Sequence, residues 1–158
     1  ARVKRLFTAA RRNGLEFLLE IIPSKVGPVD DETSASLIQS FYDAGVYPDW
    51  WKLEPFKTDV AWANAVAAIK RNDPRTRGIV VLGLDAPETE LAESFALAAK
   101  QPLVKGFAVG RTIFGNAARN WMAGNISDEE AVAEMAENYQ RLCGIWDKAR
   151  NRAMEDAA

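Results

Sequence analysis

Histidine is absent from the 158 residues, and cysteine occurs once, at Cys143. The first absence excludes His-based catalytic triads, histidine general bases and ordinary His-ligated zinc. The second excludes an internal disulfide framework and a cysteine-rich metal site, and it fits a reducing, cytoplasmic compartment. Neither sign of charge dominates, since 20 Lys and Arg stand against 22 Asp and Glu, a net charge of -2. The basic field needed to neutralise nucleic-acid phosphates is therefore missing. No apolar stretch approaches the roughly 20 residues that span a bilayer, and the basic start Ala1-Arg2-Val3-Lys4-Arg5 leads into no apolar run of signal-peptide length. Acid–base chemistry must then run on Asp, Glu, Lys, Arg, Tyr or Cys143.

What is present is an apolar fraction of 48%, enough for one domain, residues 1–158, with its own core. Residues 1–13 read as a basic amphipathic helix stopped at Asn13-Gly14. Leu15 to Ile22 is a short apolar run closed by Pro23, which suits a buried strand. After a loop, Asp30 or Asp31 caps a helix running to Ala44-Gly45. Asp49 to Pro55 is a second strand, and Thr58 or Asp59 opens an alanine-rich helix to about Arg71, broken at Asn72-Asp73-Pro74. Gly78 to Leu84 is the clearest strand, followed by a helix over 87–99 with Pro87 at its start. Lys105 to Gly110 is a fourth strand, with a short helical turn over 112–118. Ser127 and Glu130 form a capping box for a closing helix over 128–149, in which Gly144 is an internal weak point.

The strand centres recur every thirty residues or so, the rhythm of consecutive βα units with a parallel sheet. Four such units make half of an eight-unit barrel, which usually needs about 250 residues. They could equally form an open sheet with helices on both faces.

Lys52 lies in mid-strand between Trp51 and Leu53. In apolar, cationic surroundings a lysine gives up its proton more readily, and the neutral amine attacks carbonyls. At a sheet edge the same residue would merely discourage aggregation. Glu54 is two residues on and projects from the same strand face, while Glu20 holds the matching end of the preceding strand. The three could line one pocket at the carboxyl end of the sheet, with a carboxylate passing protons to a carbonyl adduct, or could be a plain ion-pair cluster. Gly106 to Thr112 ends the fourth strand, where backbone N–H groups and Arg111 could hold phosphate, helped by Gly83-Leu84-Asp85. Glycines needed only for tight turns would look the same. Trp50 and Trp51 point to opposite sides of their strand, and Trp62, Trp121 and Trp146 sit in helical patterns typical of core. Cys143 reads as a packing residue.

The blocks Leu18-Leu19-Glu20-Ile21-Ile22-Pro23, Trp50-Trp51-Lys52-Leu53-Glu54, Ile79 to Leu84 and Gly106 to Phe114 resemble the last four strands of a class I aldolase barrel. The resemblance is to the aldolase-like domain fused behind a sugar-kinase domain in bacterial myo-inositol catabolism proteins. It implies a parallel (βα)4 half of a TIM barrel preceded by a helix, completed by dimerisation or by a missing N-terminal half. It implies Lys52 as the Schiff-base lysine, Glu20 as the glutamate assisting proton transfer, and a phosphate site at Gly83 and Gly110-Arg111. Glu54 joins the first group and Asp85 the second by position alone, where Asp85 would serve equally as a helix cap or turn residue. The implied reaction cleaves 2-deoxy-5-keto-gluconic acid 6-phosphate to dihydroxyacetone phosphate and malonate semialdehyde, with no metal or other cofactor. The implied partners are the phosphosugar, a second barrel half and a sugar-kinase domain, with no nucleic acid or membrane. The other expectation is a non-catalytic structural or phosphosugar-binding domain assembling with the kinase.

Overall fold

The computed structural model of the chain describes residues 1–83 and 87–157. Its helices are α1 (Arg2–Arg12), α2 (Thr33–Asp43), α3 (Asp59–Asn72), α4 (Glu88–Ala98), α5 (Arg111–Met122) and α6 (Asp128–Glu155). They alternate with strands β1 (Leu18–Ile21), β2 (Trp50–Leu53), β3 (Gly78–Leu82) and β4 (Val104–Ala108). A single 3-10 turn, Pro23–Lys25, follows β1.

The four strands run parallel in the order β1-β2-β3-β4. An order without reversal has no switch point, and right-handed crossovers then place their helices on one face. Burial follows that rule. Leu19, Ile21, Trp51, Leu53, Ile79 and Val81 alternate into the helix-covered core, whereas Leu18 on the opposite face is 47% exposed and Trp50, Lys52 and Val80 are partly exposed. The chain is thus an α/β half-barrel with a helix before its first strand, and its sheet is not closed. The two-faced open sheet is set aside.

Aromatic residues fill the covered side. Trp51 is fully buried and donates its indole N–H to the Tyr42 hydroxyl at 3.0 Å. Trp62 packs on Phe56 with ring centroids 4.5 Å apart, and Phe95 stacks on Phe107 and meets Trp146 edge-on. Each large side chain so buried contributes about 1.5–3 kcal/mol against exposure. Burial pushes the Tyr42 phenol up to about 12. Gly78 is required by close approach, because a Cβ there would lie 2.7 Å from the Leu103 carbonyl oxygen.

Several boundaries differ from the sequence reading. Neither Asp30 nor Asp31 is the N-cap of α2: that position is Glu32, without a side-chain cap bond, and Asp30 instead closes the turn just before the helix, accepting the Glu32 and Thr33 N–H groups and the Thr33 hydroxyl. These bonds, the Thr33 hydroxyl foremost, hold the Asp30 carboxyl below its ordinary range. The turn expected over 112–118 is the 12-residue helix α5. The closing helix runs through Gly144 to Glu155, started by the Ser127–Glu130 capping box. Trp121, read as core, is 48% exposed and donates to Asp128 at 2.6 Å. Among the described residues no helix is long and apolar enough to cross a membrane.

Candidate active site

Parallel register sets a single row across the sheet. Glu20 pairs with Lys52, Lys52 with Val80, and Val80 with Gly106. Trp51 and Leu53 enter the core, so the alternation of strand side chains turns Lys52 to the accessible face. Glu20 reaches the same face one strand away, and Lys52 Nζ lies 3.0 Å from Glu20 Oε1. Their side chains are 25% and 41% exposed, so the pair contributes at most about 1 kcal/mol to folding. The apolar, cationic surroundings expected for Lys52 are replaced by this anionic partner. Next to Val80 the row ends in open space, since a Cβ at Gly106 would meet no atom within 4 Å.

Glu54 does not join the pair. It is only 5% exposed, and its two oxygens accept from Ser24, one from the backbone N–H at 2.9 Å and one from the hydroxyl at 2.5 Å. The expected shared strand face with Lys52 is not realised, because β2 ends at Leu53 and Glu54 turns to the segment leaving β1.

The expected phosphate-binding residues lie at the carboxyl ends of β3 and β4. A Cβ on Gly83 would come within 2.9 Å of Val109, and one on Gly110 within 3.1 Å of the Phe114 ring. Both glycines therefore serve close packing in this chain. Gly110 is also the N-cap of α5 and Arg111 its first residue, which puts a helix N-terminus at this rim. Asp85 lies outside the described residues. Cys143 is partly buried on α6 beside Tyr139, whose phenol is raised by its hydrogen bond to that thiol. Three concavities of the surface lie along α1, at Phe7, Arg11, Tyr47 and Asp49, and between α4 and α6, away from Lys52 and Glu20.

Asp49, at the opposite end of β2, holds β1 in place. Its carboxylate accepts the Phe17 N–H at 2.7 Å and pairs with Arg11 of α1 at 2.9 Å, while its own N–H donates to the Phe17 carbonyl. Burial pushes this carboxyl up, but the Phe17 N–H and Arg11 outweigh it, and the net shift is downward.

Sequence reasoning missed Ser24 and Gly106. Ser24 carried one faint signal, a hydroxyl directly after Pro23 where a strand ends. Gly106 was legible only as part of a glycine-rich strand end, because its place level with Lys52 depends on the register of three strands.

Fold and site together define a βα-repeat protein of half-barrel type with a lysine–carboxylate pair on its open face. The model of the family described as "Uncharacterized protein conserved in bacteria (DUF2090)" matches residues 1–150, and the chain belongs to that family. No curated protein matches it.

Proposed function

We propose that this chain supplies the reactive half of a class I aldolase, cleaving a phosphorylated keto sugar acid through an imine on Lys52. The observation that supports this reading is the 3.0 Å contact between Lys52 Nζ and Glu20 on the sheet face that the helices leave open. Glu20 accepts a proton from the Lys52 ammonium, and the freed amine adds to the substrate ketone. The protonated Glu20 then returns that proton to the carbinolamine oxygen, which leaves as water and gives the iminium. Glu20, a carboxylate again, takes the proton from the hydroxyl on the carbon β to the iminium, and the bond between the α and β carbons breaks. The electron pair moves to the iminium nitrogen, an aldehyde leaves, and an enamine stays on Lys52. Glu20 returns the proton to the enamine α carbon, and hydrolysis of the resulting iminium by water releases the phosphorylated ketone. The iminium is the electron sink, so the chemistry calls for no metal.

The substrate class is carried by resemblance, with 2-deoxy-5-keto-gluconate 6-phosphate as the model compound of myo-inositol catabolism and the Gly110-Arg111 rim receiving its phosphate. A cytoplasmic setting fits the single cysteine. A second barrel half opposite the open face would enclose the pocket around Lys52 and Glu20, which this chain already carries, and a fused sugar-kinase domain is the expected neighbour. A second reading, a non-catalytic assembly domain, is favoured by one observation: Val109 and Phe114 fill the space at the glycines that a phosphate cradle would use.

Intact mass after borohydride reduction with dihydroxyacetone phosphate, followed by peptide mapping, separates the two. The imine reading expects an adduct on Lys52 that Lys52→Ala lacks. A folded chain with no adduct, or with one elsewhere, overturns it for this chain.

A further inference from the structure

We propose that Glu54 is a positioning residue whose carboxylate, through Ser24, holds the carboxyl end of β1 against β2 so that Glu20 stays on Lys52. This deepens the imine reading and takes its catalytic meaning from it. Short strands at a sheet edge are weakly held, and β1 has four residues with β2 as its paired neighbour. The ladder between them ends at Ile21 and Leu53. Beyond that point β1 turns into Pro23–Lys25, while β2 continues into Pro55, which has no N–H to offer. Glu54 bridges this gap.

Burying a carboxylate is costly unless its oxygens are hydrogen-bonded, and here Ser24 satisfies both. Ser24 lies four residues past Glu20, and Glu54 two past Lys52, so the bridge sits directly beyond the pair. The other end of the ladder has a matching device, in which Asp49 accepts from Phe17. Two acids bracketing β2 thus fasten the two flanks of β1, with the Glu20–Lys52 contact between them. Removing the outer fastening frees the segment that carries Glu20 without touching Lys52. Lys25 and Val26, just beyond Ser24, are exposed and report any loosening.

The test uses the full chain with Ser24→Ala, Ser24→Thr and Glu54→Gln, each checked for folding by circular dichroism. Two readouts are taken: the rate of trypsin cleavage after Lys25, and acetylation of Lys52 relative to exposed Lys70. Ser24→Ala and Glu54→Gln should speed the cleavage and raise Lys52 acetylation up to about fivefold, the change that loss of a partly exposed ion pair permits. Ser24→Thr keeps the hydroxyl and should stay at the wild-type level in both. Wild-type values in both disrupted variants overturn the proposal. So does faster cleavage with Lys52 acetylation unchanged, because the bridge then holds only the loop. Failure of the imine reading shows separately, as a wild-type chain without a borohydride adduct, and the two readouts decide the bridge in that case as well.

Discussion

Glu20 and Lys52 stand opposite each other in the β1–β2 ladder, and their side chains close to 3.0 Å on the accessible face of the sheet. A pair this exposed adds little to stability, so its chemistry and its folding role come apart on mutation. Glu20→Gln keeps the shape and removes the proton acceptor. The rate of borohydride-trappable imine formation should fall about 10²–10⁴-fold, while the unfolding free energy moves by no more than about 1 kcal/mol. Parallel trapping and urea titrations check both. A stability loss with an unchanged trapping rate would turn the pair into a structural ion pair.

Asp49 ties α1, β1 and β2 together, and its folded-state pKa is depressed below the ordinary 3.8. A carboxyl shifted this way stabilises the fold fully above its unfolded value. It loses that contribution as pH falls through the folded value. Asp49→Asn removes the charge, so it should cost about 1.5–3 kcal/mol at neutral pH, the range for hydrogen bonds to a charged group. The cost should shrink as pH falls below 3.8 and through the lower folded value, where the wild-type residue becomes protonated. Urea midpoints of both chains across that range test it. A difference independent of pH would show that the carboxylate's charge contributes nothing.

Trp51 and Trp62 are both fully buried, yet their indole N–H groups fare differently. Trp51 donates to Tyr42, whereas the Trp62 nitrogen is buried with no hydrogen-bond partner among the described residues. Replacing either by Phe loses ring volume, but at Trp62 it also removes an unsatisfied donor, which offsets about 1–3 kcal/mol. Trp62→Phe should therefore cost less than Trp51→Phe by about 1–2 kcal/mol in urea unfolding. Equal costs would indicate that packing alone sets both.

The fold was legible wherever one local signal was strong. The run from Gly78 to Leu82 is β-branched and apolar, and the Ser127–Glu130 box marks the start of α6 without ambiguity. The pairing of Glu20 with Lys52 was readable because both sit at the third position of short, similar strands. The fate of Glu54 was not, since strand alternation stops at Leu53 and the carboxylate is claimed by a serine thirty residues away. Trp121 escaped for a related reason: its helical spacing suited a core, but Asp128 holds its indole at the surface. The choice between half-barrel and two-faced sheet needed strand order, which local sequence does not encode.

That order also bears on what closes the barrel. An eight-stranded barrel has eight grooves between strands for helices. This chain brings α1 against the segments entering β1 and β2, where Phe7 meets Phe17 and Arg11 meets Asp49, and α6 against α4 and β4, where Trp146 meets Phe95 and Tyr139 meets Phe107. In a barrel made of two copies, the α1 that precedes β1 in one and the α5 and α6 that follow β4 in the other would meet at the same seam. A complementary half that begins and ends with a strand creates no such conflict. The chain alone should therefore sediment as a monomer at low micromolar concentration, and it should stay monomeric as concentration rises tenfold. A stable dimer would mean that α1 swings away from β1, and loss of the Arg11–Asp49 contact on dimerisation, read by Arg11→Ala strengthening the dimer, would identify that rearrangement.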